Sequence, residues 1–377
     1  MAKRAPAPPP VIPGFSYVRV LGSGGFADVY QYHQDMPRRV VAVKVLLNNA
    51  INPEVLRTFN AEADIMARLS AHPSIVTIYQ ASIAADGRPY LVMEYCPDTM
   101  STRYKKGPLP IGEVLDVGVR VAAALETAHR AGLLHRDIKP SNILVTSLGT
   151  PVLADFGIAT VAEAEPREDE VFALSVPWSA PEVVAENDSG SVASEVWSLG
   201  ATLYTLLAGR SPFELPGKSN NAREQLSARI HKARYTPISR LDVSDAVQSL
   251  LATSMSKDPA KRFSSLEEFA EALRSAQYSH SIPPTALEVA TPEWGEASLV
   301  SVSDEAWRMP QPTTVAPESR LVARKRAAVA TAPSSDGVGE QERVAQRRLK
   351  PAMVAVIAAI GIVVAGLVTV LVVQQGG

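Results

Sequence analysis

The chain has 377 residues, 46% hydrophobic and 20% charged, with a formal net charge of −2 at pH 7. So balanced a composition gives no global positive field, and nucleic acid is not an expected partner. The single cysteine, Cys96, excludes an internal disulfide and a multi-cysteine metal site, and it fits a reducing compartment.

In chain order, residues 1–13 are rich in Pro and Ala and read as a disordered arm. Lys3 and Arg4 have no apolar run behind them, so no signal peptide is expected. Apolar periodicity is sustained over 14–277. Short β-branched or aromatic runs predict strands at Tyr17–Leu21, Val29–Tyr32, Val40–Leu46 and Leu91–Glu94. A helix interrupts them, with Asn52 as N-cap and Pro53 at its first position. Its apolar stripe is Val55, Leu56, Phe59, Ala63, Met66 and Leu69, and Glu62 falls within that stripe. Further helices are predicted over 111–131, 192–208, 243–255 and 264–275, and short strands at Ile143–Val145 and Val152–Ala154. A strand-rich first part followed by a helical second part is an α+β arrangement.

Residues 278–350 are dominated by Pro, Ser, Thr, Glu and Arg and read as a disordered juxtamembrane tether, in which Trp294 and Trp307 have no evident partners. Ala352–Val373 is a run of 22 uncharged residues. At 1.5 Å per residue it spans about 33 Å, which predicts one transmembrane helix over 351–373. Arg347, Arg348 and Lys350 precede it, so the positive-inside rule puts the N-terminal part in the cytoplasm at the cell membrane. Residues 374–377 would then be a short extracytoplasmic tail, with no ectodomain.

Four segments carry chemistry. Gly22-Ser23-Gly24-Gly25-Phe26-Ala27 lies between two predicted strands, and its glycines let backbone N–H groups approach phosphate oxygens; a simple hairpin turn is the plainer alternative. It precedes a strand and lacks G-x-x-x-x-G-K, so neither a Rossmann site nor a P-loop is indicated. Lys44 sits inside the apolar run Val40–Leu46 and needs a counter-charge; Glu62, on the buried stripe of the following helix, is the expected one. His135-Arg136-Asp137-Ile138-Lys139-Pro140-Ser141-Asn142 places a carboxylate, an amine and an amide between apolar runs, and Asp155-Phe156-Gly157 follows the second short strand. Phosphoryl transfer needs a base to position the acceptor, oxygen ligands for Mg²⁺ and cations for the phosphate charge.

The spacing H-R-D-x-K-x-x-N followed by D-F-G is specific. By these motifs the chain resembles the eukaryotic-like protein kinase superfamily, and within it the membrane-bound bacterial serine/threonine kinases, over about residues 15–275. The resemblance implies a bilobal protein kinase fold with ATP and Mg²⁺ (or Mn²⁺) as cofactors and protein Ser/Thr hydroxyls as acceptors. It implies Asp137 as the catalytic base and Lys139 as the cation on the γ-phosphate. Asn142 and Asp155 would hold the metal, and Lys44 with Glu62 would orient the α/β-phosphates. The hinge maps to Met93, Glu94, Tyr95 and Cys96, with Glu94 and Cys96 binding the adenine edge. Leu21, Val29, Ala42, Met93 and Leu144 would line the adenine slot, with Cys96 an inert wall residue, and His135 is expected in a structural spine with Phe156, Met66 and Ile78.

Several positions depart from the family pattern. Ala27 replaces the third glycine of the loop, Leu174 and Trp178 replace Gly and Tyr near the peptide-binding end, and Glu195 replaces an aspartate that braces the catalytic loop. Ser175 would still offer its hydroxyl to Asp137 and Lys139, and Glu182 is expected to pair with Arg262. The extra methylene of Glu195 must repack, with lower turnover as a consequence. Arg136, which in the family meets an activating phosphate, is expected to meet one of Glu168, Asp169 or Glu170 instead; a solvated acidic loop is the alternative. Basic tether residues such as Arg324, Lys325 and Arg326 suit anionic lipid, and Gly361 with Ala365 suits a homodimer of spans. The rival classes are a catalytically weak pseudokinase scaffold, which predicts loss of Lys44, Asp137 or Asp155, and a small-molecule phosphotransferase of the same fold.

Overall fold

The computed structural model describes residues 4–25, 27–47, 59, 63–156, 176–185 and 190–290, all in the first of the two units (1–313 and 314–377) into which the chain divides. The expectations placed on Phe26, Glu62, the acidic run of 163–170, Leu174, Ser175, the tether beyond 290 and the span at 351–373 lie outside the described residues. Among the described residues, no helix is long and apolar enough to cross a membrane.

The small lobe is an antiparallel sheet of order β1-β2-β3-β5-β4. Its strands are β1 (Phe15–Ser23), β2 (Ala27–Gln34), β3 (Arg39–Leu46), β4 (Ile78–Ile83) and β5 (Pro89–Glu94). Period-2 alternation divides the central strand β3 between two cores. Val41, Val43 and Val45 are fully buried and pack with Tyr30, Tyr32, Tyr90 and Val92. Ala42 and Leu46 face the other way, into a cluster with Leu91, Met93, Val152 and Ala154. Lys44 shares that second face, so its ammonium is directed toward the lobe boundary. The edge strand β4 was not predicted, because Gln80 and Ser82 break its apolar pattern and none of its residues is fully buried.

A second sheet, β6 (Asp98–Thr99), β7 (Ile143–Val145) and β8 (Pro151–Leu153), sits beside the helices. The segment entering β4 clasps β8: Leu153 N–H donates to Ser74 O at 2.8 Å and Val76 N–H to Leu153 O at 2.9 Å. Between β3 and β4, Phe59 and residues 63–69 are helical, as predicted, with Phe59, Ala63, Met66 and Leu69 buried; the expected start at Asn52 and Pro53 lies outside the described residues. The helices after β5 are α1 (Met100–Tyr104), α2 (Ile111–Arg130), α3 (Pro181–Val184), α4 (Val192–Ala208), α5 (Arg223–Lys232), α6 (Asp245–Ser254) and α7 (Leu266–Ser279). The central α4 starts at a reciprocal Ser191–Ser194 cap and stops at Gly209, whose φ of 72° suits only the left-handed region. The unpredicted helix α5 buries only Leu226 and Ile230, too few positions to give a legible stripe.

Two segments expected to be disordered are laid against the lobes. In the N-terminal arm Ile12 is buried, and arm carbonyls accept hydrogen bonds from three fixed side chains. Tyr30 Oη donates to Ala7 O at 2.7 Å, Tyr32 Oη to Pro10 O at 2.6 Å and Arg88 Nη2 to Pro8 O at 2.8 Å. An extended Pro-rich chain leaves its carbonyls unpaired, and these donors satisfy them. The ordered domain also runs past 277. Helix α7 continues to Ser279, and Thr285 Oγ1 donates to Asp116 Oδ1 at 2.8 Å. His72 Nδ1 accepts from Ser74 N–H at 3.0 Å, which leaves Nε2 to donate to Glu288 O at 2.6 Å. Burial holds the pKa of His72 below its ordinary value, consistent with that neutral tautomer.

Candidate active site

The site is built around the loop from α2 to β7. Glu195, near the start of α4, is almost wholly buried, and one carboxylate oxygen accepts the Arg136 backbone N–H at 2.7 Å. The other oxygen is 2.6 Å from His129 Nε2, on the last turn of α2. The bracing role expected of Glu195 is met, and the extra methylene is absorbed by a second partner. His129 was missed in the sequence, where it reads as one polar residue at a helix end. Arg136 is held at φ 64°, a conformation that needs such bracing in a non-glycine residue.

His135 lies fully buried beneath this loop. Its Nδ1 accepts the Asp137 N–H at 3.2 Å, which assigns the proton to Nε2, donated to Ala154 O at 2.9 Å. Its ring lies 4.7 Å from Phe156, and Phe156 packs in the core with Met66 and Ile78. His135 is therefore a structural link between the motifs, as expected, and is not positioned as a base.

Asp137 is turned outward by that support. Lys139 Nζ donates to its Oδ2 at 2.7 Å and Asn142 Nδ2 donates to the same oxygen at 3.0 Å. Asn142 is further fixed by Nδ2 to Asp137 O at 2.8 Å. With its nitrogen so engaged, the side-chain oxygen of Asn142, which accepts Ser141 Oγ at 3.3 Å, has its second lone pair for a cation. The Asn142 carbonyl accepts Ala154 N–H at 2.9 Å, which places Asn142 next to the strand leading into Asp155.

Asp155, at φ 63°, meets Lys44 across the lobes, with Nζ to Oδ1 at 2.7 Å. The Lys44 charge holds the Asp155 carboxyl below its usual range, against desolvation, with Lys139 adding to the effect. A lowered folded pKa means that the pair stabilises the protein above the unfolded Asp value. That contribution is lost as the pH falls through the folded value. Lys44 was expected to pair with Glu62, which lies outside the described residues; the partner observed is Asp155. Asn142 and Asp155 supply hard oxygen donors, and Mg²⁺ is held by one or two protein ligands together with phosphates and water, so this pair fits it. Among the described residues no group of three or more His, Cys, Asp or Glu side chains forms another metal site.

The residues expected to line an adenine slot lie in a single cluster. Leu21, Ala27, Val29, Cys96 and Leu144 pack, half-buried, against Ala42 and Met93. Glu94 N–H donates to Thr77 O at 2.9 Å, so the contact expected of its backbone would fall to its carbonyl. Gly24 N–H donates to Ala27 O at 2.9 Å, closing the glycine hairpin. Ala27 is paired with Leu46 in regular strand, where no glycine conformation is needed. That explains how the third glycine is dispensed with. Burial, reinforced by Glu94, pushes the Cys96 thiol up to about 12. It is expected to react with iodoacetamide at pH 8 at less than about a hundredth of its rate in the denatured chain, because the thiolate is the nucleophile; comparable rates would contradict a buried wall position.

The remaining strut is also in place. Arg262 makes a forked pair with Glu182, Nη1 to Oε1 at 2.6 Å and Nη2 to Oε2 at 2.9 Å. Ser175 and the acidic residues expected near Arg136 lie outside the described residues.

The protein kinase domain family matches residues 15–278, the same span as this bilobal unit. The chain belongs to the protein kinase family. Serine/threonine-protein kinase PknK of Mycobacterium bovis is 40% identical over 273 residues, 70% of this chain and 24% of that protein, so the chain spans about a quarter of that relative. Serine/threonine-protein kinase PknA of Mycobacterium tuberculosis is 31% identical over 327 residues, covering 85% of this chain and 72% of that protein. A solved kinase domain of Mycobacterium tuberculosis PknI matches with a TM-score of 0.53 at 29% identity, covering 73% of this chain and 99% of that one.

Proposed function

We propose that this chain is an ATP-dependent serine/threonine protein kinase, held at the cell membrane by segment 351–373 with its N-terminal part in the cytoplasm. The observation that carries the kinase assignment is the convergence of Asp137, Lys139, Asn142, Lys44 and Asp155 at one lobe boundary. Asp137 accepts and orients the proton of an incoming Ser or Thr hydroxyl. Lys139, already on the Asp137 carboxylate, is placed to follow the phosphate charge as it develops. Lys44 exchanges Asp155 for the α- and β-phosphates, with Glu62 as its second partner. Asn142 and Asp155 would hold Mg²⁺, or Mn²⁺ in its place. Bound Mg²⁺ supplies charge neutralisation between the terminal phosphates. The cluster of Leu21, Val29, Ala42, Met93 and Leu144 excludes water from the adenine.

A pseudokinase scaffold is disfavoured because none of Lys44, Asp137, Asn142 or Asp155 is lost. The uncharged run and its basic flank support the anchor, the tether's Ser and Thr residues are proposed autophosphorylation sites, and Gly361 with Ala365 would serve a homodimer. The full chain incubated with Mg-ATP should acquire phosphoserine or phosphothreonine between 278 and 350. It should also stay in the membrane pellet after alkaline carbonate washing. Extraction by carbonate would remove the anchor, and absence of any incorporated phosphate would remove the kinase activity.

A further inference from the structure

The arm expected to be disordered ends against the nucleotide loop. Asp28, the second residue of β2, is 0% exposed and stands opposite Ser23 in the β1–β2 register, at the base of the glycine hairpin. Its Oδ1 receives Arg4 Nη2 at 2.5 Å, and its Oδ2 receives Ala7 N–H at 2.8 Å, with Tyr30 Oη, whose proton goes to Ala7 O, 3.3 Å away. The same Arg4 nitrogen lies 3.2 Å from Ser23 Oγ and 3.3 Å from Gly24 O. One guanidinium thus joins both strands of the hairpin and the carbonyl of the loop's central glycine. Burial alone would raise the Asp28 pKa, but Ser23, the Ala7 amide and Arg4 outweigh it and hold the carboxyl below its usual range. A buried carboxylate is costly without a cation, so the arm and the hairpin depend on each other.

Arg4 is delivered there by contacts independent of it: Ile12 in the core, and the three hydrogen bonds to Ala7, Pro8 and Pro10 described above. Beyond Ser23 the loop carries Gly24 and Gly25, whose backbone freedom must be given up when it closes over phosphates. A clasp at its base removes part of that freedom before the nucleotide arrives. We propose that Arg4 is a positioning residue for nucleotide binding, acting through Asp28 and Gly24 to preset the glycine loop.

The inference rests on the kinase assignment. It separates from that assignment because the loop and the arm belong to the small lobe, whereas Asp137 and Lys139 lie in the other. Arg4→Ala in the full chain should raise both the MgATP KM and the directly measured MgATP Kd by about tenfold, equivalent to one lost charge-assisted hydrogen bond. Turnover at saturating ATP should stay within about twofold, because the catalytic loop is untouched. Arg4→Lys should recover most of the affinity, whereas Asp28→Asn placed in the Arg4→Ala background should recover only melting temperature, since it removes the stranded charge without restoring the link to Gly24. An unchanged ATP affinity in Arg4→Ala overturns the clasp, as does a fall in melting temperature with no split between KM and turnover. A wild-type chain that binds MgATP without transferring phosphate counts against the kinase assignment alone, and Kd still decides the clasp.

Discussion

Asp137→Asn is expected to lower phosphoryl transfer about a thousandfold while leaving MgATP affinity within about twofold. The replacement keeps the size of the side chain but removes the carboxylate proposed to take the acceptor's proton. Oδ2 of Asp137 is the shared acceptor for Lys139 and Asn142. An amide there cannot take a hydroxyl proton, and it must turn its carbonyl toward two donors to avoid presenting an N–H to them. In the proposed function ATP is held elsewhere, by the glycine hairpin, Lys44 and the cluster around Ala42 and Met93. Turnover with labelled ATP, beside calorimetric binding of MgATP, separates the two effects. More than a tenth of wild-type turnover would show that Asp137 is not the proton-handling group.

Arg262→Met is expected to produce the largest loss of stability, about 3–5 kcal/mol, because it strands the charge of Glu182 inside the large lobe. The Arg262 side chain is fully buried while Glu182 is 19% exposed. The guanidinium also donates to Ala193 O at 2.9 Å and Ser256 O at 2.8 Å, and lies 5.0 Å over the Trp197 ring. One side chain therefore joins α3, the start of α4 and the turn after α6. For a domain of this size the loss corresponds to roughly 6–20 °C in melting temperature. Arg262→Lys keeps the charge without the fork and should fall between the two. Adding Glu182→Leu to Arg262→Met should restore part of the loss, since the uncompensated charge is then gone. A melting temperature for Arg262→Met within about 2 °C of wild type would contradict a structural strut.

The residues that carry chemistry were legible because their setting is local. His135 to Asn142 and Asp155 to Phe156 sit between apolar runs that can only be short buried strands, and the distances among them follow from the adjacent β7 and β8. Helices α2 and α4 were legible from sustained apolar periodicity. What escaped depends on partners distant in the chain. The arm reads as disorder because proline leaves no periodic pattern, yet its fixed donors are Tyr30, Tyr32 and Arg88. Segment 282–290 was read as tether for the same reason. Its anchors are Asp116, Thr127 and His72, the last 216 residues away from Glu288. Lys44 was rightly placed as a paired cation, but a single sequence offers several carboxylates. Asp155, 111 residues downstream, was read only as a metal ligand.

The most direct measurement is a crystal structure of the chain with Mg²⁺ and a non-hydrolysable ATP analogue. The metal is expected on the Asn142 side-chain oxygen and the Asp155 carboxylate at about 2.0–2.1 Å, with the γ-phosphate beside Lys139 and Asp137. Lys44 should have left Asp155 for the α- and β-phosphates. A nucleotide seated away from Leu21, Ala42 and Met93, or a metal bound without Asp155, would contradict the account.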